Sequence, residues 1–193
     1  MPVKTRIPYE FGVFFITFTC FRWLNLIDIA DGYDAAYNWF NILKRDLHYI
    51  LGYVIMPNHI HSFVAFRNSG KRINTIVGNG KRFMAYDFIR RLKENNEEEI
   101  LDLLYDAVNY SDRERNKVHE PWKDSFDWKL CDSWELMEQK LDYMHENPCS
   151  GKWNLVESPV DYVHSSARFY YSGEQGIFPV TNYMEVDDID LSK

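Results

Sequence analysis

Tyr53-Val-Ile-Met-Pro-Asn-His-Ile-His-Ser-Phe-Val-Ala-Phe66 reads as a strand, a corner at Pro57 and Asn58, and a second strand opened by two histidines. In an extended strand successive side chains point to opposite faces, so His59 and His61 project from one face and Ile60 from the other. Two imidazoles are thereby held side by side on a rigid element. That is a favourable start for a divalent-metal site, because neutral imidazole is a common ligand and paired strands fix its direction. The pair also fits a blander arrangement, in which one histidine is a hydrogen-bonded core or rim residue and the other is solvated.

Working outward, Phe11 to Cys20 is apolar on both faces, with Val13, Phe15, Thr17 and Thr19 on one side and Phe14, Ile16 and Phe18 on the other. This pattern predicts a central strand. Asp31-Gly-Tyr-Asp34 opens a helix over 33–46, in which Ala36, Phe40, Leu43 and Leu47 recur at helical spacing and Lys44 and Arg45 sit where the dipole favours cations. Strands over 48–56 and 60–67 form an antiparallel hairpin, ended by Asn68-Ser-Gly70. A helix over 73–93 follows, with Ile76, Phe83, Tyr86 and Ile89 marking its faces and Gly78 and Gly80 weakening its first turns. A third helix, 98–109, turns Ile100, Leu101, Leu104 and Val108 inward. Residues 111–124 are polar and predict a mobile loop, and Phe126-Asp-Trp-Lys-Leu-Cys131 alternates as a fourth strand. Strand, helix, strand, strand, helix, strand is the order of a split βαβ, ferredoxin-like antiparallel sheet of the α+β class.

Asp132-Ser-Trp-Glu135 then caps a helix that Pro148 stops near Glu146. Trp134, Met137, Leu141 and Met144 make its buried stripe. The neighbouring stripe is Leu136, Lys140, Tyr143 and Asn147, so a phenol and a side-chain amide one turn apart face the same space while His145 points elsewhere. A structural Tyr on an amphipathic helix and an Asn before a proline account for the same two residues.

With 193 residues and 46% hydrophobic content the chain suits one domain, taken as 1–183, followed by an acidic tail, 184–193. A formal charge of −7 argues against tight nonspecific binding to nucleic acid. The acids are concentrated, however: Glu94, Glu97, Glu98, Glu99, Asp102 and Asp106 lie in one stretch, and Glu185, Asp187, Asp188 and Asp190 in another. The remainder can therefore carry a basic face, and with 17% aromatic residues some rings must lie on surfaces or in grooves, where bases could stack. Cys20, Cys131 and Cys149 form no Cys-x-x-Cys and read as reduced thiols of a cytoplasmic protein, with no membrane-spanning stretch.

The run Met56-Pro57-Asn58-His59-Ile60-His61 resembles the histidine-hydrophobic-histidine (HUH) motif of the single-tyrosine transposases, in particular the REP-associated tyrosine transposases. Tyr143-Met-His-Glu-Asn-Pro148 resembles the tyrosine motif of that family, in the expected order along the chain. Leu155-Val-Glu-Ser-Pro-Val-Asp-Tyr162 and Ser165-Ser-Ala-Arg-Phe-Tyr170 are similar to the segment that follows it, so the resemblance covers roughly residues 10–172. Cys149-Ser-Gly-Lys152 departs from it, since relatives more often have an apolar and basic pair there. The resemblance implies a metal-dependent endonuclease and strand transferase acting on single-stranded DNA beside hairpin repeats. Tyr143 would be the nucleophile of a 5′-phosphotyrosine intermediate, and His59, His61 and Asn147 would hold Mg²⁺ or Mn²⁺. Lys81, Arg82, Arg90, Arg91, Lys140 and Arg168 would contact DNA, although a solvated helix face also explains the cluster from Lys81 to Lys93 and a solvated surface lysine explains Lys140. A monomer is favoured over a homodimer. Two other readings stay open: a catalytically inactive protein that binds DNA hairpins, and a His-x-His phosphodiesterase in which Tyr143 is dispensable.

Overall fold

A computed structural model describes residues 6–123 and 125–193. In β1 (Gly12–Thr19) the alternating residues Phe14, Ile16 and Phe18 and their opposites Val13 and Phe15 are all buried, so the strand needs cover on both faces and neighbours on both edges. It pairs antiparallel with β3 (His59–Phe66) and with β4 (Asp127–Leu130), and β3 pairs in turn with β2 (Tyr49–Met56). The sheet order β2-β3-β1-β4 is that of the split βαβ arrangement, and the chain is α+β as its element order implies.

The helices are α1 (Leu26–Ile29), α2 (Tyr33–Arg45), α3 (Ile73–Glu94), α4 (Glu98–Asp106), α5 (Tyr110–Arg113), α6 (Trp134–His145) and α7 (Ala167–Ser172). One face of the sheet, with Phe14, Ile16, Phe18, Ile60 and Val64, is buried under Trp39, Phe40 and Leu43 of α2 and Val77, Met84 and Phe88 of α3. The opposite face, with Val13, Phe15, Leu51, Val54 and Phe63, is buried under Met137, Leu141 and Met144 of α6. A register shift between Ile50 and Gly52 changes the alternation of β2, so that Leu51 and Val54, three residues apart, both lie on the α6 side and Ile50, Tyr53 and Ile55 on the other.

Several expectations from periodicity are corrected. Trp134 is not in the α6 stripe but 44% exposed, its indole N–H donating to Asp187. Leu47 lies beyond α2 in a left-handed turn and is exposed. Phe83 and Tyr86 face solvent, and the inward row of α3 is Ile73, Val77, Gly80, Met84, Phe88 and Leu92. The stretch expected as a mobile polar loop instead contains α5 and the buried Trp122. That indole packs on Phe18 and Phe88, and Lys123 N–H donates to the Thr19 carbonyl at 2.8 Å, tying the segment to the end of β1. Asp124 of that stretch lies outside the described residues. The acidic tail is also packed: Val186 is buried against the α6 layer and the Leu191 carbonyl accepts from Asn68 N–H.

The outer edge of β2 is covered late in the chain. Ile55 N–H donates to His164 O, Ser166 N–H to Tyr53 O, and Thr181 N–H to Ile50 O. Among the described residues no helix is long and apolar enough to cross a membrane.

Gly78 and Gly80, two residues apart in α3, sit in opposite surroundings. A methyl on Gly78 would meet nothing within 4 Å, whereas one on Gly80 would lie 2.6 Å from Cδ1 of the buried Trp39 ring. Gly78→Ala should therefore stabilise the protein by about 0.5–1 kcal/mol, the usual helix preference for Ala. Gly80→Ala should destabilise it, since displacing an aromatic ring costs about 1–3 kcal/mol and outweighs that preference. Urea unfolding of the two variants reads the signs directly, and a stabilised Gly80→Ala would contradict the packing of Trp39.

Candidate active site

The β1/β3 register sets Thr19 opposite His59 and Thr17 opposite His61, so both imidazoles rise from the α6 face of the sheet. Each histidine is 4% exposed, and their ring centroids are 4.8 Å apart. Asn58, at the corner before β3, fixes the first: its Oδ1 accepts from His59 Nδ1 at 2.7 Å. An amide oxygen can only accept, so Nδ1 carries the proton and Nε2 keeps its lone pair. The other end of the same amide donates to Trp23 O at 3.0 Å. His61 Nδ1 is engaged by Thr17 Oγ1 at 2.8 Å. Its Nε2 lies 3.3 Å from the Asn147 side-chain amide, which also reaches His59. Because the two ends of that amide are alike in shape, a half-turn presents Oδ1 to the imidazoles from the same seat.

Burial holds both imidazoles neutral. It lowers His59 to about 4, opposed by the Asn147 contact and helped by the charge of Lys152. It takes His61 well below the usual range, with His59 and Lys140 adding to the effect. Neutral nitrogen donors whose far sides are already hydrogen-bonded are what a metal site requires.

The second half of the site comes from α6. Ser133 caps the helix, its hydroxyl accepting from Leu136 N–H at 3.3 Å. With Met137, Leu141 and Met144 turned into the sheet, Lys140 and Tyr143 face the histidines. Tyr143 is 53% exposed, edge-on to His61 with centroids 5.5 Å apart, and Lys140 Nζ stands 5.7 Å from the Tyr143 ring centre. Asn147 follows in a short 3₁₀ turn, Asn147–Cys149. His145 points away, its Nε2 2.8 Å from the Oγ of buried Ser166.

His59, His61, Lys140, Tyr143 and Asn147 line one cleft of about 700 Å³. Its other walls are Phe15, Thr17, Thr19, Trp23 and Trp153, and its rim carries Lys123, Lys129 and Lys152 with Asp127. Sequence reasoning had Thr17 and Thr19 on one face but not beneath the histidines, a placement readable from antiparallel parity once β1 and β3 are paired. Trp23, Lys152 and Trp153 come from irregular segments and left no periodic signal.

The cations expected on DNA are divided. Lys81 and Arg82 line a larger groove, about 970 Å³, between α3 and residues 115–126, together with Arg6, Arg90, Lys93 and Lys117. Lys123 borders both this groove and the cleft. Arg90 is held by Asp87 and Glu94, and Arg91 by Asp87, Asp34 and the Asp31 carbonyl. Arg168 is exposed on α7 and lines neither cavity.

A solved REP-associated tyrosine transposase, bound to a REP hairpin, is similar to this chain with a TM-score of 0.60 at 17% sequence identity, covering 100% of this chain and 98% of that one. The chain has the fold of that transposase. A protein described as a transposase from Deinococcus radiodurans R1 matches with a TM-score of 0.33 and 11% identity over 74% of this chain and 95% of the other, too distantly to bear on the fold. No family model and no curated protein matches the sequence. On this fold His59, His61, Lys140, Tyr143 and Asn147 share a single cleft.

All 6 histidines are held below the ordinary imidazole value by burial: His48, His59, His61, His119, His145 and His164. Unfolding returns them to about 6.5. Between that value and about 4, where His59 and His145 lie when folded, the unfolded chain binds more protons than the native one. Stability is then fully present above about pH 6.5 and declines as the pH falls toward 4. Urea melts in chelator between pH 7 and pH 5 should show this loss, and a flat profile would mean that the imidazoles are not buried in the neutral form.

Proposed function

We propose that this protein is a metal-dependent endonuclease and strand transferase of the transposase type, cutting single-stranded DNA beside a hairpin repeat with Tyr143 as nucleophile. One juxtaposition carries the reading: the Asn147 amide lies 3.3 Å from His61 Nε2 while Tyr143, one turn back, stands edge-on to the same imidazole. A phosphodiesterase using water would have no need of a half-exposed phenol at that position.

The donor set fits a hard divalent ion. His59 and His61 offer Nε2 with Nδ1 already engaged, and Asn147 offers an amide oxygen, so three protein donors would leave positions for water and phosphate. No group of three or more His, Cys, Asp or Glu side chains gathers anywhere among the described residues, which makes this mixed set the best candidate. When bound, Mg²⁺ or Mn²⁺ would draw charge from the non-bridging phosphate oxygens. Tyr143 Oη attacks phosphorus and gives its proton to solvent; the new O–P bond forms as the bond to the 3′ oxygen breaks, and that oxygen takes a proton from solvent, leaving a 5′-phosphotyrosine and a free 3′-OH. Attack by a 3′-OH on that link reverses the exchange without ATP, because one P–O bond replaces another. Lys140, beside the Tyr143 ring, meets the negative charge that builds on the phosphate. The hairpin duplex would lie along the basic groove of α3, with Lys123 at the junction where the strand enters the cleft.

Wild-type protein, Mn²⁺ and single-stranded oligonucleotides from repeats beside its own gene should give a denaturant-resistant protein–DNA adduct. Tyr143→Phe should abolish it with hairpin affinity unchanged, and His61→Ala should reduce it by more than the roughly 10- to 100-fold lost when an outer-sphere partner is removed. An adduct that survives Tyr143→Phe would reject the nucleophile, and cleavage without any adduct would give that role to water.

Hairpin binding offers a separate check on the groove. Arg82 forms no salt bridge among the described residues, whereas Arg90 is doubly paired. Arg82→Ala should lower the slope of log affinity against log salt by about 1, with Arg90→Ala changing it less. Equal slopes for wild type and Arg82→Ala would remove the groove from the binding surface.

A further inference from the structure

Trp23 is held in a way that packing alone does not explain. Arg22 and Trp23 are consecutive non-glycine residues in the left-handed region, with φ of 49° and 60°. Backbone of this kind is unfavourable and persists only where its surroundings impose it. Here Trp23 N–H donates to Cys20 O and Leu24 N–H to Phe21 O, and the Asn58 amide adds a side-chain hold, donating to Trp23 O at 3.0 Å while accepting from His59 Nδ1 at 2.7 Å. The product of this strain is an indole left 53% exposed at the edge of the cleft. Its neighbours are the His59 ring, 5.8 Å away edge-on, and Lys152 Nζ, 6.0 Å from its centre. Trp153 also borders this imidazole, 6.0 Å from it and 5.1 Å from the same Lys152 ammonium.

We infer that Trp23, with Trp153 and Lys152, forms a stacking wall that takes one unpaired nucleobase of the strand next to the phosphate at His59 and His61. This rests on the single-stranded-DNA reading of the cleft given above. An indole face accepts any base, which suits a wall that positions the strand rather than reads it, and an ammonium between two indoles matches the phosphate between two nucleotides. Asn58 then links the two tasks, since one amide orients the His59 ring and helps hold the backbone that presents Trp23.

The test uses the Tyr143→Phe protein, which binds without cleaving, and a single-stranded oligonucleotide from the repeat flank with 2-aminopurine placed at one position at a time. Stacking on an indole quenches that fluorophore. Quenching is expected at one position, or two adjacent ones, and should be lost in Trp23→Ala and kept in Trp23→Phe; affinity should fall about tenfold in Trp23→Ala. Thermal melts matching the parent would confirm that Trp23→Ala is folded, as expected for a half-exposed side chain. Unchanged quenching in Trp23→Ala, or equal losses in the Ala and Phe variants, would overturn the wall. Trp23-dependent quenching in a protein whose wild type forms no adduct would keep the wall and reject the enzyme, whereas an oligonucleotide that does not bind at all would reject both.

Discussion

The seat of α6 on the bare backbone of Gly52 sets the height of that helix above the sheet. A Cβ at Gly52 would stand 2.7 Å from Leu141 Cδ2 and closer still to Met144 Cε, the two side chains through which α6 is buried. Tyr143 precedes Met144 and Asn147 follows it by less than a turn, so the depth of this contact governs how near the phenol and the amide come to His61. Ser166 adds a second fastening, since its hydroxyl meets both His145 Nε2 and the backbone of Tyr53. A hydrophobic contact and a buried hydrogen-bond network thus act on the same helix end, and the site inherits its geometry from them.

Regular elements were legible because their periods are fixed by backbone geometry. The double-sided apolar run of β1, the His59/His61 parity and the Lys140, Tyr143, Asn147 stripe all follow from spacing alone. What spacing cannot show is which stripe a neighbour covers. Phe83 and Tyr86 look as apolar as Met84 and Phe88, yet only the latter pair meets α2 and the sheet. Gly80 reads as a weak helix residue until Trp39 is known to lie on it. Arg91 reads as a surface cation until its partner Asp34, 57 residues earlier, is in place. Each of these depends on a contact far away in sequence, to which a local pattern is blind.

Charge is distributed in the same non-local way. The chain is acidic overall, with a formal charge of −7, but lysines stand at the rim of the cleft and several arginines and lysines, among them Arg6, Lys81, Arg82 and Lys93, line the groove of α3 between apolar side chains. Acids are concentrated in and around α4 and in the C-terminal segment, with others spread over the rest of the chain. An uneven distribution of this kind lets a chain of negative net charge carry locally basic patches.

The covering of β2 also has a consequence for the chain as it is made. Tyr53 and the Ser166 that pairs with it are 113 residues apart. At about 5–20 residues per second of synthesis, the strand leaves the ribosome roughly 6–23 seconds before its cover exists. Through that interval Ile50-Leu-Gly-Tyr-Val-Ile-Met56 offers an open, apolar edge to any other strand in reach. The newborn chain is thus exposed along this edge until its last third has been made, and its yield depends on how well it is shielded during those seconds.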